Sequence, residues 1–152
     1  IGIIEASPSR FTRVAVVTPS QTAQAYIVWL ALYRALVEEV IPRASEASFD
    51  LMEDDHSQFL ASLTLGEVQR IATMNFQFFS RLPAESENAA LQRAIVSVVH
   101  IVRLGSLHLP AYIDLEALGR AQGLLLEAVR LRDVQFARDA IKLLAQIEVP
   151  QD

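Results

Sequence analysis

Residues 18–42 read Thr-Pro-Ser-Gln-Thr-Ala-Gln-Ala-Tyr-Ile-Val-Trp-Leu-Ala-Leu-Tyr-Arg-Ala-Leu-Val-Glu-Glu-Val-Ile-Pro, and two prolines frame a helix. Thr18 offers a capping hydroxyl, Pro19 has the φ that a first helical position needs, and Gln21 stands where its side chain can close a capping box. Pro42 has no N–H and its ring clashes with the preceding turn, so the helix should end near Ile41. From Tyr26 to Val37 it is apolar on nearly every side, which describes a central buried helix or one sandwiched between subunits.

Around this helix the rest of the chain also reads as helical. A loop is expected from Ala44 to Asp50, then a short helical segment from about Asp54 to Ser62. Thr64 and Glu67 have capping-box spacing for a helix from Leu65 to Leu82, stopped by Pro83, with a stripe of Val68, Ala72, Asn75, Phe79 and Leu82. Ser86 is placed to open a helix reaching Gly105, a glycine suited to a helix end. A connector at 107–112 holds Pro110. Asp114 caps a helix to about Leu131, and Asp133 caps a last one to about Ile147, before Pro150. Upstream, residues 1–17 form an irregular arm with a β-like run at 14–17. No run alternates with period two for long enough to make a sheet, and there are only 5 glycines. The expected architecture is all-α: a compact bundle of about five to six helices with an irregular N-terminal arm, one domain over 1–152, core helices in 18–105 and a C-terminal helix pair in 106–152.

Hydrophobic residues make up 52% of the chain and the mean hydropathy is +0.29, more apolar area than one small globule needs. A homodimer or higher homo-oligomer is the expected outlet. The net charge of −5 denies the surface the positive field that binds nucleic acid by charge alone, so any contact with promoter DNA must be local. The acids gather at Glu38, Glu39, Glu46, Asp50, Glu53, Asp54 and Asp55, a run expected to be solvated. The absence of cysteine fits a reducing, cytoplasmic setting. The most apolar stretch, Ala25 to Val37, is too short and too charged at its ends to span a bilayer, so no membrane role is expected.

No parts of a catalytic site are legible: there is no nucleophile elbow, phosphate loop or metalloprotease motif. The chain is therefore read as a non-enzyme with no catalytic residues and no cofactor. The three histidines, His56, His100 and His108, do not pair with each other, and no metal site is expected. His56 beside Glu53 and Asp55 reads as surface, and His100 within residues 98–102 as a buried, satisfied imidazole. Arg130 and Arg132 bracket a turn between helices, where they could meet phosphates; interleaved Glu127, Asp133 and Asp139 favour a solvated face instead. Asn75 on an apolar stripe either satisfies local backbone groups and packing or meets a partner.

The stretch Leu60-Ala61-Ser62-Leu63-Thr64-Leu65, with Ala72 and Asn75 beyond it, resembles the helix-opening pattern of the flagellar transcriptional activator subunit FlhD. Residues 44–51, Ala-Ser-Glu-Ala-Ser-Phe-Asp-Leu, are similar to a second stretch of that family, and Leu91-Gln92-Arg93 and Arg103-Leu104 fall at a comparable spacing. The resemblance implies a non-enzymatic, oligomeric transcriptional regulator subunit acting through assembly with a second regulator subunit and promoter DNA. Phe49 and Asn75 match the family's working surface, and with Arg130 and Arg132 they form the candidate partner or DNA surface. Asp50 departs from the pattern, which has arginine there.

A second resemblance is to the ligand-sensing C-terminal domains of GntR-type transcription factors. Residues 123–133, Gly-Leu-Leu-Leu-Glu-Ala-Val-Arg-Leu-Arg-Asp, followed by Ala137, are similar to their closing helices. In such domains Asp and His commonly hold a metal; here Gln122 stands at the expected His position, which implies that a metal-dependent effector site is lost. A helical adaptor or secretion chaperone is a third reading of the same acidic, apolar profile.

Overall fold

The structure, a computed structural model, describes residues 17–106 and 113–147, and these form helices joined by short turns. The helices are α1 (Pro19–Val40), α2 (Glu46–Leu65), α3 (Val68–Ser80), α4 (Ala89–Ser106), α5 (Leu115–Leu131) and α6 (Val134–Gln146), with 3-10 turns at Ile41–Arg43 and Pro83–Glu85. The all-α expectation holds, and the described residues include no strand. Of the expected N-terminal arm and its run at 14–17, all but Val17 lies outside the described residues, as do the connector at 107–112, with its Pro110 and His108, and Pro150. No helix of the described residues is long and apolar enough to cross a membrane.

Several helix ends follow from local chemistry. The Thr18 hydroxyl accepts the Gln21 N–H at 3.1 Å while the Gln21 side chain accepts the Thr18 N–H at 3.0 Å, completing the capping box. Asp114 accepts from Ala117 N–H and Asp133 from Gln135 N–H, so both expected caps form. Three boundaries differ from expectation. The first is α2, which begins at Glu46, with Ser45 accepting the Ser48 N–H at 3.1 Å; no loop fills 44–50. The second is the capping box at Thr64, which does not exist. Residues 60–65 are the last turns of α2, the Thr64 hydroxyl turns back to the Leu60 carbonyl, and the helix stops at Gly66, whose φ of 69° is open to glycine at little cost. The third is α4, which opens later than Ser86: Asn88 accepts the Leu91 N–H, while Ser86 accepts the Asn88 N–H.

The Glu39 carboxylate binds the segment before α4 to α1. It accepts from the Ser86 hydroxyl at 2.6 Å, the Glu87 N–H at 2.8 Å and Arg43 at 2.9 Å. These groups, Ser86 first, then Glu87 and Arg43, hold its pKa below the ordinary carboxylate value. A depressed folded-state pKa stabilises the fold above the unfolded carboxylate's pKa of about 4.3 and is lost as the pH falls below it. Glu39→Gln should therefore flatten the acid limb of a thermal-midpoint profile below about pH 4.3. An acid limb as steep as the wild type's would assign the loss to other carboxylates.

Helix α1 lies between α4 and α6, α2 lies between α3 and α5, and the α5–α6 hairpin joins the two groups. The helices thus follow one another around an open ring, α4, α1, α6, α5, α2, α3, whose two ends, α3 and α4, do not pack closely backbone to backbone. One continuous core runs through it, including Tyr33, Leu36, Met52, Phe59, Phe78 and Leu125. Trp29 stacks on Tyr33 at 4.6 Å and meets Phe79 edge-on at 5.4 Å. Phe79 and Leu82 of the expected α3 stripe are in this core, whereas Val68 is exposed and Ile71, Met74 and Phe78 complete the buried face. Apolar side chains that remain exposed include Ile27 and Val28 on α1 and Val96 on α4.

One buried hydroxyl corrects a defect that Pro83 creates. The Phe79 carbonyl would accept from the N–H four residues on, but that residue is Pro83 and has none. The Tyr33 hydroxyl, fully buried, donates to it at 3.1 Å. Burial pushes this phenol far above its ordinary range, so it remains a donor. Tyr33→Phe should cost about 1 to 2 kcal/mol in urea unfolding, the range for stranding a buried acceptor. No measurable loss would mean that water reaches the carbonyl.

Candidate ligand cavity

Where the ring opens between α3 and α4, a cavity of about 810 Å³ penetrates toward α1, α5 and α6. This lies within the range of small-molecule sites, roughly 300–1,000 Å³. Its walls are chiefly apolar. Helix α1 contributes Tyr26 and Trp29, α3 contributes Ile71, Phe76 and Phe79, and α4 contributes Ile95, Val96, Val99 and Val102. Leu118 of α5 and Leu144 of α6 close the inner side. The Tyr26 hydroxyl donates to the Leu144 carbonyl at 2.6 Å, fixing the ring against α6. Burial raises the Tyr26 pKa well beyond its ordinary value, so this donor persists at all ordinary pH.

The polar groups are few and on definite elements. Asn75 lines the cavity from α3, and behind it runs a hydrogen-bond relay through the protein. Gln122, completely buried on α5, donates through Nε2 to Asn75 Oδ1 at 2.9 Å, and its Oε1 lies 2.8 Å from His56 Nδ1 on α2. With Gln122 donating through Nε2, its Oε1 is the acceptor, so the proton lies on His56 Nδ1. Asn75 is thus partnered through its carbonyl oxygen, and the capacity it has left is its amide N–H pair. On α4, Arg93, His100 and Arg103 line the cavity, and the Arg103 guanidinium sits 5.7 Å from the centre of the Phe76 ring.

A second buried polar group lies beside the relay. Asp55, with its side chain 1% exposed, accepts two hydrogen bonds from Arg81, at 2.8 and 3.1 Å, and one from Gln77 Nε2 at 2.8 Å. Met52, Asp55, Phe59 and Ser62 are all buried on α2 and recur at helical spacing, so the core face of this helix runs through the acidic stretch. That spacing is the signal by which Asp55 could have been separated from its solvated neighbours. His56 is likewise not plain surface, because its ring is half-buried and bonded to Gln122. His100, expected in the core, is exposed at the cavity's edge: the core side of α4 is set by Ile95 and its neighbours, which turns His100 outward.

The candidate surface residues divide into two places. Phe49, Arg130 and Arg132 line one small polar cleft with Ser45, Glu46 and Asp50, between the α1–α2 turn and the α5–α6 turn. Phe49 packs on the core, Arg130 pairs with Glu127 at 2.6 Å, and Arg132 donates to the Ala44 carbonyl at 3.0 Å. Arg132 closes α5 with a φ of 52°, a left-handed conformation unusual for a side chain other than glycine, and its long-range bond helps to hold it there. Asn75 lies apart from these three, in the large cavity.

Donor chemistry at the relay does not suit a metal. Gln122 presents a neutral amide already committed on both sides, Asp55 is taken by Arg81 and Gln77, and His56 is the one imidazole of the relay. Among the described residues no three or more His, Cys, Asp or Glu side chains converge.

No curated protein and no solved structure matches the chain. The model of the FCD domain, the C-terminal domain of GntR-family regulators, matches residues 24–146. This agrees with the second of the two resemblances and not with the one to FlhD. The fold shows why the latter fails locally: the hexapeptide at 60–65 that resembled a helix opening is the end of α2. FCD domains are regulatory parts of transcription factors and not a catalytic family. Since the match spans most of the chain's 152 residues, from the start of α1's apolar run to the end of α6, the chain belongs to the FCD domain family.

Proposed function

We propose that this chain is the ligand-sensing part of a GntR-type transcription regulator and that the cavity at the α3–α4 seam is its effector site. The observation that carries the reading is the cavity itself: a large apolar-lined space with a few convergent polar groups, placed where two helices of the ring do not pack closely backbone to backbone. A ligand there would touch α3 and α4 at once and add to the packing between them. Binding would favour whichever arrangement of the two helices encloses the ligand better, and that differential affinity is what a sensor transmits. The relay from Asn75 through Gln122 to His56 links the cavity wall to α5 and α2 and gives the change a path inward.

On this reading the chain acts without catalysis, in the cytoplasm, and as an assembly of copies. The exposed Ile27 and Val28 on α1 offer apolar area for such an assembly. The test is operator release: the protein carrying this chain together with its DNA-binding segment is titrated with a panel of small metabolites while operator affinity is followed. At least one compound should change that affinity by about 5- to 150-fold, the ordinary range of allosteric coupling. Operator affinity that no compound alters, with the cavity also failing to bind any of them, would contradict the reading.

A further inference from the structure

We infer that His56 is a positioning residue for the cavity: the relay from His56 through Gln122 to Asn75 runs in either of two directions, and the imidazole tautomer decides whether Asn75 offers a ligand its N–H pair or its oxygen. This rests on the reading of the cavity as the effector site. It goes beyond that reading by assigning a role in specificity to two residues, His56 and Gln122, that do not line the cavity.

Each member of the relay has one end that donates and one that accepts. Gln122 is completely buried, so no water replaces a partner at either end of its amide, and a mismatched end carries the cost of a stranded polar group. The direction is therefore shared by all three residues. In the structure His56 Nδ1 donates to Gln122 Oε1, Gln122 Nε2 donates to Asn75 Oδ1, and the Asn75 N–H pair is left for the cavity. In the reverse order Gln122 donates to His56 Nδ1, Asn75 donates to Gln122, and the Asn75 oxygen is left instead.

The exchange between the two is local. The amides of Gln122 and Asn75 turn over about terminal torsions that are broad and roughly two-fold, so nitrogen and oxygen trade places with little displacement of the helices. The imidazole stays neutral while its proton passes from Nδ1 to Nε2. The ring is half-buried, which leaves water a route to carry that proton. Asp55, its neighbour in sequence, does not hold the tautomer, because both of its oxygens accept from Arg81 and one also accepts from Gln77. A ligand atom that accepts a hydrogen bond at Asn75 thus favours the observed direction, and one that donates favours the reverse.

Trp29 is the single tryptophan and lines the cavity, so its indole N–H signal reports occupancy in spectra of the 15N-labelled chain. Proton–nitrogen correlations across the imidazole show which nitrogen of His56 carries the proton, its signals being identified by their loss in His56→Gln. Spectra are taken at about pH 8.5, two units above the ordinary imidazole pKa. The unlabelled probes are indanone, a carbonyl acceptor without a donor, and indole, an N–H donor without an acceptor, which are similar in size. With indanone bound the proton should stay on Nδ1; with indole bound the ratio of Nδ1 to Nε2 tautomers should fall by about tenfold or more. Asn75→Leu, at a half-buried position, should still bind indole, with the tautomer ratio within about twofold of the unliganded variant's. If the proton rests on the same nitrogen with either probe bound, or if indole still moves it in Asn75→Leu, the inference falls and the cavity stands as a ligand site. If neither probe shifts the Trp29 signal, the inference falls together with the effector-site reading.

Discussion

Trp29→Ala is expected to lower stability by about 3 to 5 kcal/mol, as large-to-small changes of buried aromatic residues do. The indole is 7% exposed and stands at the junction of α1 with α3. It stacks on Tyr33, meets Phe79 edge-on, and lies nearly parallel to Tyr26 at 6.0 Å. Deletion removes the largest side chain of this cluster and opens a void continuous with the neighbouring cavity, which the surrounding helices can only partly fill. Urea unfolding followed by circular dichroism measures the loss. A change below about 1 kcal/mol would place α1 at the periphery of the bundle instead of its centre.

Arg81→Met should be nearly as damaging, at about 3 kcal/mol or more, for a different reason. The substitution keeps most of the side chain's volume and removes only the charge and its donors. Asp55 then remains almost completely buried with a single donor, the Gln77 amide, and a buried carboxylate without its cation carries the full cost of lost hydration. The partner change Asp55→Asn should be milder, since it leaves a neutral amide in the same place and Arg81 is partly open to water. Arg81→Met losing less than Asp55→Asn would show that the pair is not what matters there, and thermal midpoints of the two variants decide it.

The parts of this fold that are legible in sequence are those decided within a turn or two of chain. The Thr18–Pro19–Gln21 start, the Asp114 and Asp133 caps and the stop near Pro42 depend on adjacent residues and appear where the local chemistry puts them. The start of α2 was hidden because the acidic run from Glu46 to Asp55 outweighs the cap at Ser45 when read as composition. Thr64 and Glu67 have the spacing of a capping box, but Gly66 between them takes a left-handed conformation and ends the preceding helix instead. Spacing alone does not distinguish those outcomes.

The site is less legible than the fold because it is made by long-range partners. Asn75 could be singled out as a polar group on an apolar stripe, yet its bond to Gln122 spans 47 residues and that of Gln122 to His56 spans 66. Neither bond leaves a local pattern. Gln122 could be placed only through the GntR-type resemblance, and the relay explains what an amide does there: it joins three helices by accepting on one side and donating on the other. Phe49 is singled out only through the FlhD resemblance and Arg130 and Arg132 only as cations at a turn; the structure does bring the three to one cleft, but as packing, a helix-surface ion pair and a backbone tie.

The most direct test of the effector-site account is to fill the cavity without touching its polar groups. Ala72 lines it from α3, half-buried, so Ala72→Trp would place an indole in the space. With helicity and thermal midpoint retained, the regulator carrying this variant should bind operator as before and lose its response to the compound that releases the wild type. A response within about twofold of the wild type's would show that the ligand binds elsewhere and would contradict the account.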